Sequence, residues 1–102
     1  MKVIEALSGV ELGYVVNISE TGMQVDGEYP LDTNTDRVFA LEIILPQENE
    51  DNALLSISAR NLWLKREPTP VMFATGFHIT GMDQLGSKRW RSLVQQYTTA
   101  VP

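Results

Sequence analysis

Apolar and polar residues alternate along most of this chain, and the alternation sets out its elements. Val10, Leu12, Tyr14, Val16 and Ile18 share one phase, while Glu11, Gly13, Val15 and Asn17 share the other. That period of two predicts a half-buried strand over 10–18. Ahead of it, 3–7 is a short apolar run, and Ser8-Gly9 is a turn pair, so the two runs predict a hairpin. A third strand is expected over 22–26, broken by Asp26-Gly27-Glu28-Tyr29-Pro30 and followed by a polar loop to Asp36. From Val38 to Leu45, Phe39, Leu41, Ile43 and Leu45 form one face of a central strand, which Pro46 ends because proline cannot donate to a ladder.

The acidic run from Gln47 to Asn52 reads as a solvated turn, since no calcium-ligand spacing is visible in it. Leu54 to Arg66 predicts a long strand with Leu55, Ile57, Ala59, Asn61 and Trp63 in one phase and Leu62 and Leu64 in the other. The apolar face therefore changes near Arg60-Asn61, the mark of a bulge or of a switch in the buried side. After the stiff turn Glu67-Pro68-Thr69-Pro70, the strand from Val71 to Ile79 places Val71, Phe73, Thr75, Phe77 and Ile79 together. Only the last part of the chain has a helical period: Trp90, Leu93, Val94 and Tyr97 form one stripe, with Asp83 or Ser87 as the cap. Strands joined by short polar connections predict a small six-stranded antiparallel barrel over 3–81, with a C-terminal helix over about 83–98. Val10, Leu12, Val16, Phe39, Leu41, Ile43, Phe73 and Phe77 are its expected core.

Composition narrows what such a barrel does. The chain has 102 residues, 43% of them hydrophobic, which suits one domain with one real core. There is no cysteine, which excludes disulfides and thiolate metal sites. No apolar run reaches the about 18 residues of a membrane span, and the N-terminus lacks a signal-peptide pattern, so a cytoplasmic protein is expected. The net charge of −5 is unevenly placed. Residues 1–51 hold eleven acids and two bases, whereas 52–102 hold two acids and six bases. An acidic protein without interleaved basic and aromatic residues is a poor binder of DNA or RNA, so an OB-like nucleic-acid binder ranks last among the readings.

The corner after the second strand is the distinctive stretch: Asn17-Ile18-Ser19-Glu20-Thr21-Gly22. Asn and Ser bond nearby backbone groups and Gly accepts positive φ, so the residues suit a strand-to-strand turn by themselves. Asn-x-Ser-x-x-Gly between two strands also resembles the second signature motif of the PilZ domain family. Around it stand a hairpin before the corner, a strand ending at Pro46, a long strand carrying Trp63, Gly76-Phe77 on the return strand, and a final helix, in the family's order. The resemblance implies a PilZ-like barrel. It also implies a place in bacterial cyclic di-GMP signalling, with effects on motility, type IV pili or exopolysaccharide production. It makes Asn17, Ser19 and Gly22 ligand-binding residues for cyclic di-GMP. The family's other signature, an Arg-x-x-x-Arg arm ahead of the first strand, has no counterpart. The first arginine is Arg37, and the first strand starts almost at Met1. The expected site is therefore half a site, with weak or no nucleotide binding by this chain alone. The competing reading is a protein-protein adaptor that no longer binds nucleotide.

The other candidates are weaker. His78 is the lone histidine and lies in phase with Met72, Ala74 and Gly76, so it reads as a surface residue without a nucleophile partner. No metal site, cofactor or acid/base pair is indicated, and no enzymatic activity is expected. Trp63 and Trp90 read as packing residues. Arg60, Lys65 and Arg66 read as solvated strand-end charges, with anion binding as the alternative.

Overall fold

A computed structural model describes residues 1–28, 37–45, 53–67 and 72–99, apart from the side chains of Ala53, Glu67 and 97–99. The chain forms strands β1 (Lys2–Glu5), β2 (Glu11–Ile18), β3 (Gly22–Gly27), β4 (Val38–Leu45), β5 (Ala53–Glu67) and β6 (Met72–Gly81), then helix α1 (Gln84–Thr99). The strands close into an antiparallel barrel in the order β1-β2-β3-β6-β5-β4, sealed by the pairing of β1 with β4. The fold is thus the mainly β, six-stranded barrel with a C-terminal helix that the alternation predicts. The breaks and turns expected over 29–36, 46–52 and 68–71 lie outside the described residues, as does the side chain of Tyr97.

Alternation builds the core where strands run without interruption. Phe39, Leu41, Ile43 and Leu45 on β4 are buried, and the first three face Ala59, Ile57 and Leu55 on β5 in direct register, which are buried as well. Met23 and Val25 on β3 stand opposite Phe77 and Thr75 on β6. The rings of Phe39 and Phe77 meet edge to face at 5.9 Å, a favourable aromatic geometry. Asp83 caps α1 by accepting the Gly86 N–H at 2.6 Å, and the helix lays Trp90 and Val94 into the same core, with Leu93 packed against it.

Strand β2 departs from the expected burial. Tyr14 and Val16 are each 53% exposed, and Leu12 is only half-buried. Two irregularities cause this. Against β1 the register slips between Gly13 and Glu11, leaving Leu12 as the extra residue; against β3 it slips between Val15 and Asn17, leaving Val16. Each bulge reverses the phase, so Val15 and Ile18 face the core in place of Val16. Val10 is exposed because it belongs to the connection rather than the strand: Glu5 N–H donates to its carbonyl at 2.9 Å, closing a loop longer than the Ser8-Gly9 pair. Phe73 sits near the start of β6 and is half-buried.

Asn61 also faces the interior, is fully buried, and neither its amide nitrogen nor its amide oxygen has a hydrogen-bond partner. A buried unpaired amide costs stability that an apolar group of similar size does not. Replacing Asn61 with Val should therefore stabilise the protein by about 1–3 kcal/mol in urea or thermal unfolding. A loss of stability in that variant would mean that the amide is satisfied in solution.

Candidate functional site

The corner and the outward face of β2, β3, β6 and β5 together make an open depression of about 280 Å³. Asn17, Ser19 and Gly22 all line it, together with Trp63, Gly76 and His78. Register explains the assembly. Met23, Val25, Thr75 and Phe77 point inward, so the residues between them point out: Gly22 is paired with His78, and Gln24 with Gly76. Asn17 joins the same row because the bulge at Val16 brings it opposite Gln24.

The three corner residues differ in what they are free to do. The Asn17 side chain is exposed and makes no hydrogen bond with a described residue. The Ser19 N–H donates to the Gly22 carbonyl at 2.9 Å, which closes the turn, while its hydroxyl reaches the same carbonyl only at 3.5 Å. That hydroxyl is at the outer limit of a hydrogen bond and remains available to a ligand. Gly22 does not have the positive φ that turn chemistry predicts for it, since only Gly9 and Gly13 do. Its requirement is space: a Cβ there would lie 2.6 Å from the Phe77 carbonyl oxygen.

Two further contacts hold the corner in place. The indole N–H of Trp90 on α1 donates to the Ser19 carbonyl at 2.9 Å, and the Ile79 N–H on β6 donates to the Thr21 carbonyl at 2.8 Å. The helix and the sheet therefore both grip the loop that carries the motif. Trp90 is a packing residue as expected, and it also supplies this bond.

Trp63 departs from its expected place. Its phase with Ile57, Ala59 and Asn61 implies an interior position, yet it is 42% exposed. Between Asn61 and Trp63 the register against β6 shifts, with Leu62 as the extra residue. Beyond that bulge the phase inverts, and Trp63 stands outside, opposite Gly76. Its indole occupies the place where a Cβ on Gly76 would be, so only glycine fits beneath it. The change of apolar face near Arg60-Asn61 is the signal of this bulge in the sequence. His78 is exposed, as expected, and lies on the rim of the depression. Among the described residues no cluster of His, Asp and Glu has the makings of a metal site. No helix among them is long and apolar enough to cross a membrane.

No protein-family model matches the chain, and no curated protein matches it. Among solved structures it is similar to the Bacillus subtilis inhibitor of motility, MotI/DgrA, with a TM-score of 0.81 at 15% sequence identity. The match covers 99% of this chain and 47% of the other, so the chain spans about half the length of that neighbour. At this identity the likeness is one of fold, and the fold is PilZ-like.

Two substitutions test the corner. Gly22→Ala forces the β3 and β6 backbones apart and should cost about 1–3 kcal/mol, the usual penalty of overpacking, measured by denaturant unfolding. Trp90→Phe keeps the ring in the core but leaves the Ser19 carbonyl without its donor. It should cost about 1–3 kcal/mol, and faster amide exchange of the corner and of α1 should accompany it.

Proposed function

We propose that this chain is a PilZ-type regulatory binding module of bacterial cyclic di-GMP signalling that acts by binding and carries an incomplete nucleotide site. The observation that carries this reading is that Asn17, Ser19 and Gly22 line one depression on the outer face of a PilZ-like barrel. Asn17 and the Ser19 hydroxyl are exposed polar groups with bonding capacity to spare, as a ligand site requires. The structurally similar MotI/DgrA is an inhibitor of motility, which supports motility as the process regulated.

Affinity follows from which groups are present. Neutral hydrogen bonds from Asn17 and Ser19 contribute about 0.5–1.5 kcal/mol each. Charge-assisted bonds from a pair of arginines contribute about 1.5–3 kcal/mol each. A site without that pair is weaker by about 3–6 kcal/mol, or about two to four decades in Kd. A second reading, a protein-interaction adaptor, draws on the exposed Leu62 and Trp63, 52% and 42% accessible beside the depression. Large apolar side chains on an open face are the usual anchors of a protein contact.

Calorimetric titration with cyclic di-GMP separates the two. The chain should bind weakly, far above the sub-micromolar range, and an Arg-x-x-x-Arg arm grafted ahead of Lys2 should restore tight binding. That restored binding should be lost again in Asn17→Ala or Ser19→Ala. If the grafted arm restores nothing, the adaptor reading stands and the corner is only a turn.

A further inference from the structure

Two neighbours on β5 each stand on the less favourable side of the barrel wall. Asn61 is fully buried with both amide atoms unpaired, and Leu62 beside it is 52% exposed. A polar group without a partner is better placed in water, and a large aliphatic side chain in the core. Each of the two occupies the place that suits the other.

The register allows them to exchange while the strand on either side stays put. Arg60 pairs with His78 and Trp63 with Gly76, and between these pairs two residues of β5 stand opposite Phe77 alone. In the structure Asn61 takes the inward place opposite Phe77, and Leu62 is the extra residue. Moving the bulge back by one position gives Leu62 the place opposite Phe77 and makes Asn61 the extra residue, outward beside Arg60. Both flanking pairs keep their partners. The other edge of β5 offers little resistance. Its ladder with β4 ends at Arg60 opposite Val38, and beyond that the Asn61 N–H reaches the Arg37 carbonyl only at 3.4 Å, long for a hydrogen bond.

Room opposes the exchange. Leucine is larger than asparagine, and the ring of Phe39 already lies edge to face on Phe77 at 5.9 Å, so the larger side chain has to displace its neighbours. Burial of Leu62 and hydration of the Asn61 amide favour it. The two arrangements are thus set against each other by opposing terms within one turn of chain.

We propose that the bulge of β5 migrates between Leu62 and Asn61, which makes this stretch a two-position switch in the wall of the depression. With the bulge at Leu62, the leucine lines the depression beside Trp63 and gives it an apolar wall. With the bulge at Asn61, Leu62 is withdrawn into the core, and an amide that both donates and accepts faces outward on the His78 side. A partner that packs on Leu62 holds the first arrangement, and a ligand that bonds the amide holds the second, since each binds one arrangement better than the other. The exchange is a property of β5 and β6 and stands or falls apart from the nucleotide reading.

Asn61→Asp tests it. A carboxylate is not tolerated at a fully buried site without a partner, so a fixed bulge predicts an unfolded chain at neutral pH. A mobile bulge predicts a folded one with the carboxylate outside and Leu62 inside, seen as nuclear Overhauser contacts between the Leu62 methyls and the Phe77 ring. For an arrangement populated at about 1% in the unmodified chain, the melting temperature should fall by about 10–20 °C. In the unmodified chain, relaxation dispersion should report microsecond-to-millisecond exchange at the Leu62 methyls and the Asn61 side-chain amide. In Asn61→Val, whose apolar side chain keeps the inward place, the exchange at Leu62 should vanish. An unfolded Asn61→Asp chain overturns the proposal, as does a folded one that leaves Leu62 exposed. Flat dispersion profiles at both residues of the unmodified chain overturn it as well.

Discussion

Strand β5 changes phase at Leu62, so that Asn61 packs inside the barrel while Trp63, two positions further on, stands outside. Much of the molecule follows from that one extra residue. On its near side Leu55, Ile57, Ala59 and Asn61 fill the interior against β4 and β6. On its far side Trp63 turns outward, and the glycine opposite it becomes obligatory, since any Cβ at 76 meets the indole. The bulge costs the regularity of one ladder position, and in return aligns Arg60, Trp63 and Lys65 on one face.

The bulge at Val16 plays the matching part on the other side of the face. It turns Val15 and Ile18 inward and carries Asn17 into the row of Gln24 and Gly76. Bulges gather next to functional sites because they re-aim a side chain without rebuilding the sheet. In this chain two of them, on β2 and β5, border the same depression.

The corner is also the place where the layers of the fold meet. The Ser19 carbonyl takes the Trp90 indole N–H, the Thr21 carbonyl takes the Ile79 N–H, and Gly22 lies against the Phe77 carbonyl. Trp90 itself is buried in the core. A loop bonded to both helix and sheet is held more firmly than a free hairpin turn, and this fixes where its small polar residues stand. These bonds use backbone carbonyls and leave the side chains of Asn17 and Ser19 facing the depression.

Strict alternation made most of the barrel legible from the sequence. Phe39, Leu41 and Ile43 lie in a strand paired without a register shift on both sides, and Phe77 lies in the regular ladder of β6 with β3; there a period of two leaves no choice of face, and all four are buried as predicted. The helix stripe was legible for the same reason at Trp90 and Val94, and the corner was legible because Asn, Ser and Gly mark turns by their chemistry. Tyr14 and Val16 were not legible, because a bulge is a property of two paired strands and the sequence of β2 does not say where its partners slip; on β5 the change of apolar face near Arg60-Asn61 did mark a bulge, but not that Leu62 is the extra residue and Trp63 the one turned outward. Gly22 was identified for its motif position, but its reason, a neighbouring carbonyl on β6, comes from residues more than fifty positions away. Sequence alone determined the elements, their order and the polar corner, all set by local periodicity and turn chemistry. Tertiary structure alone decided which side chains share the outer face, because that depends on register across four strands.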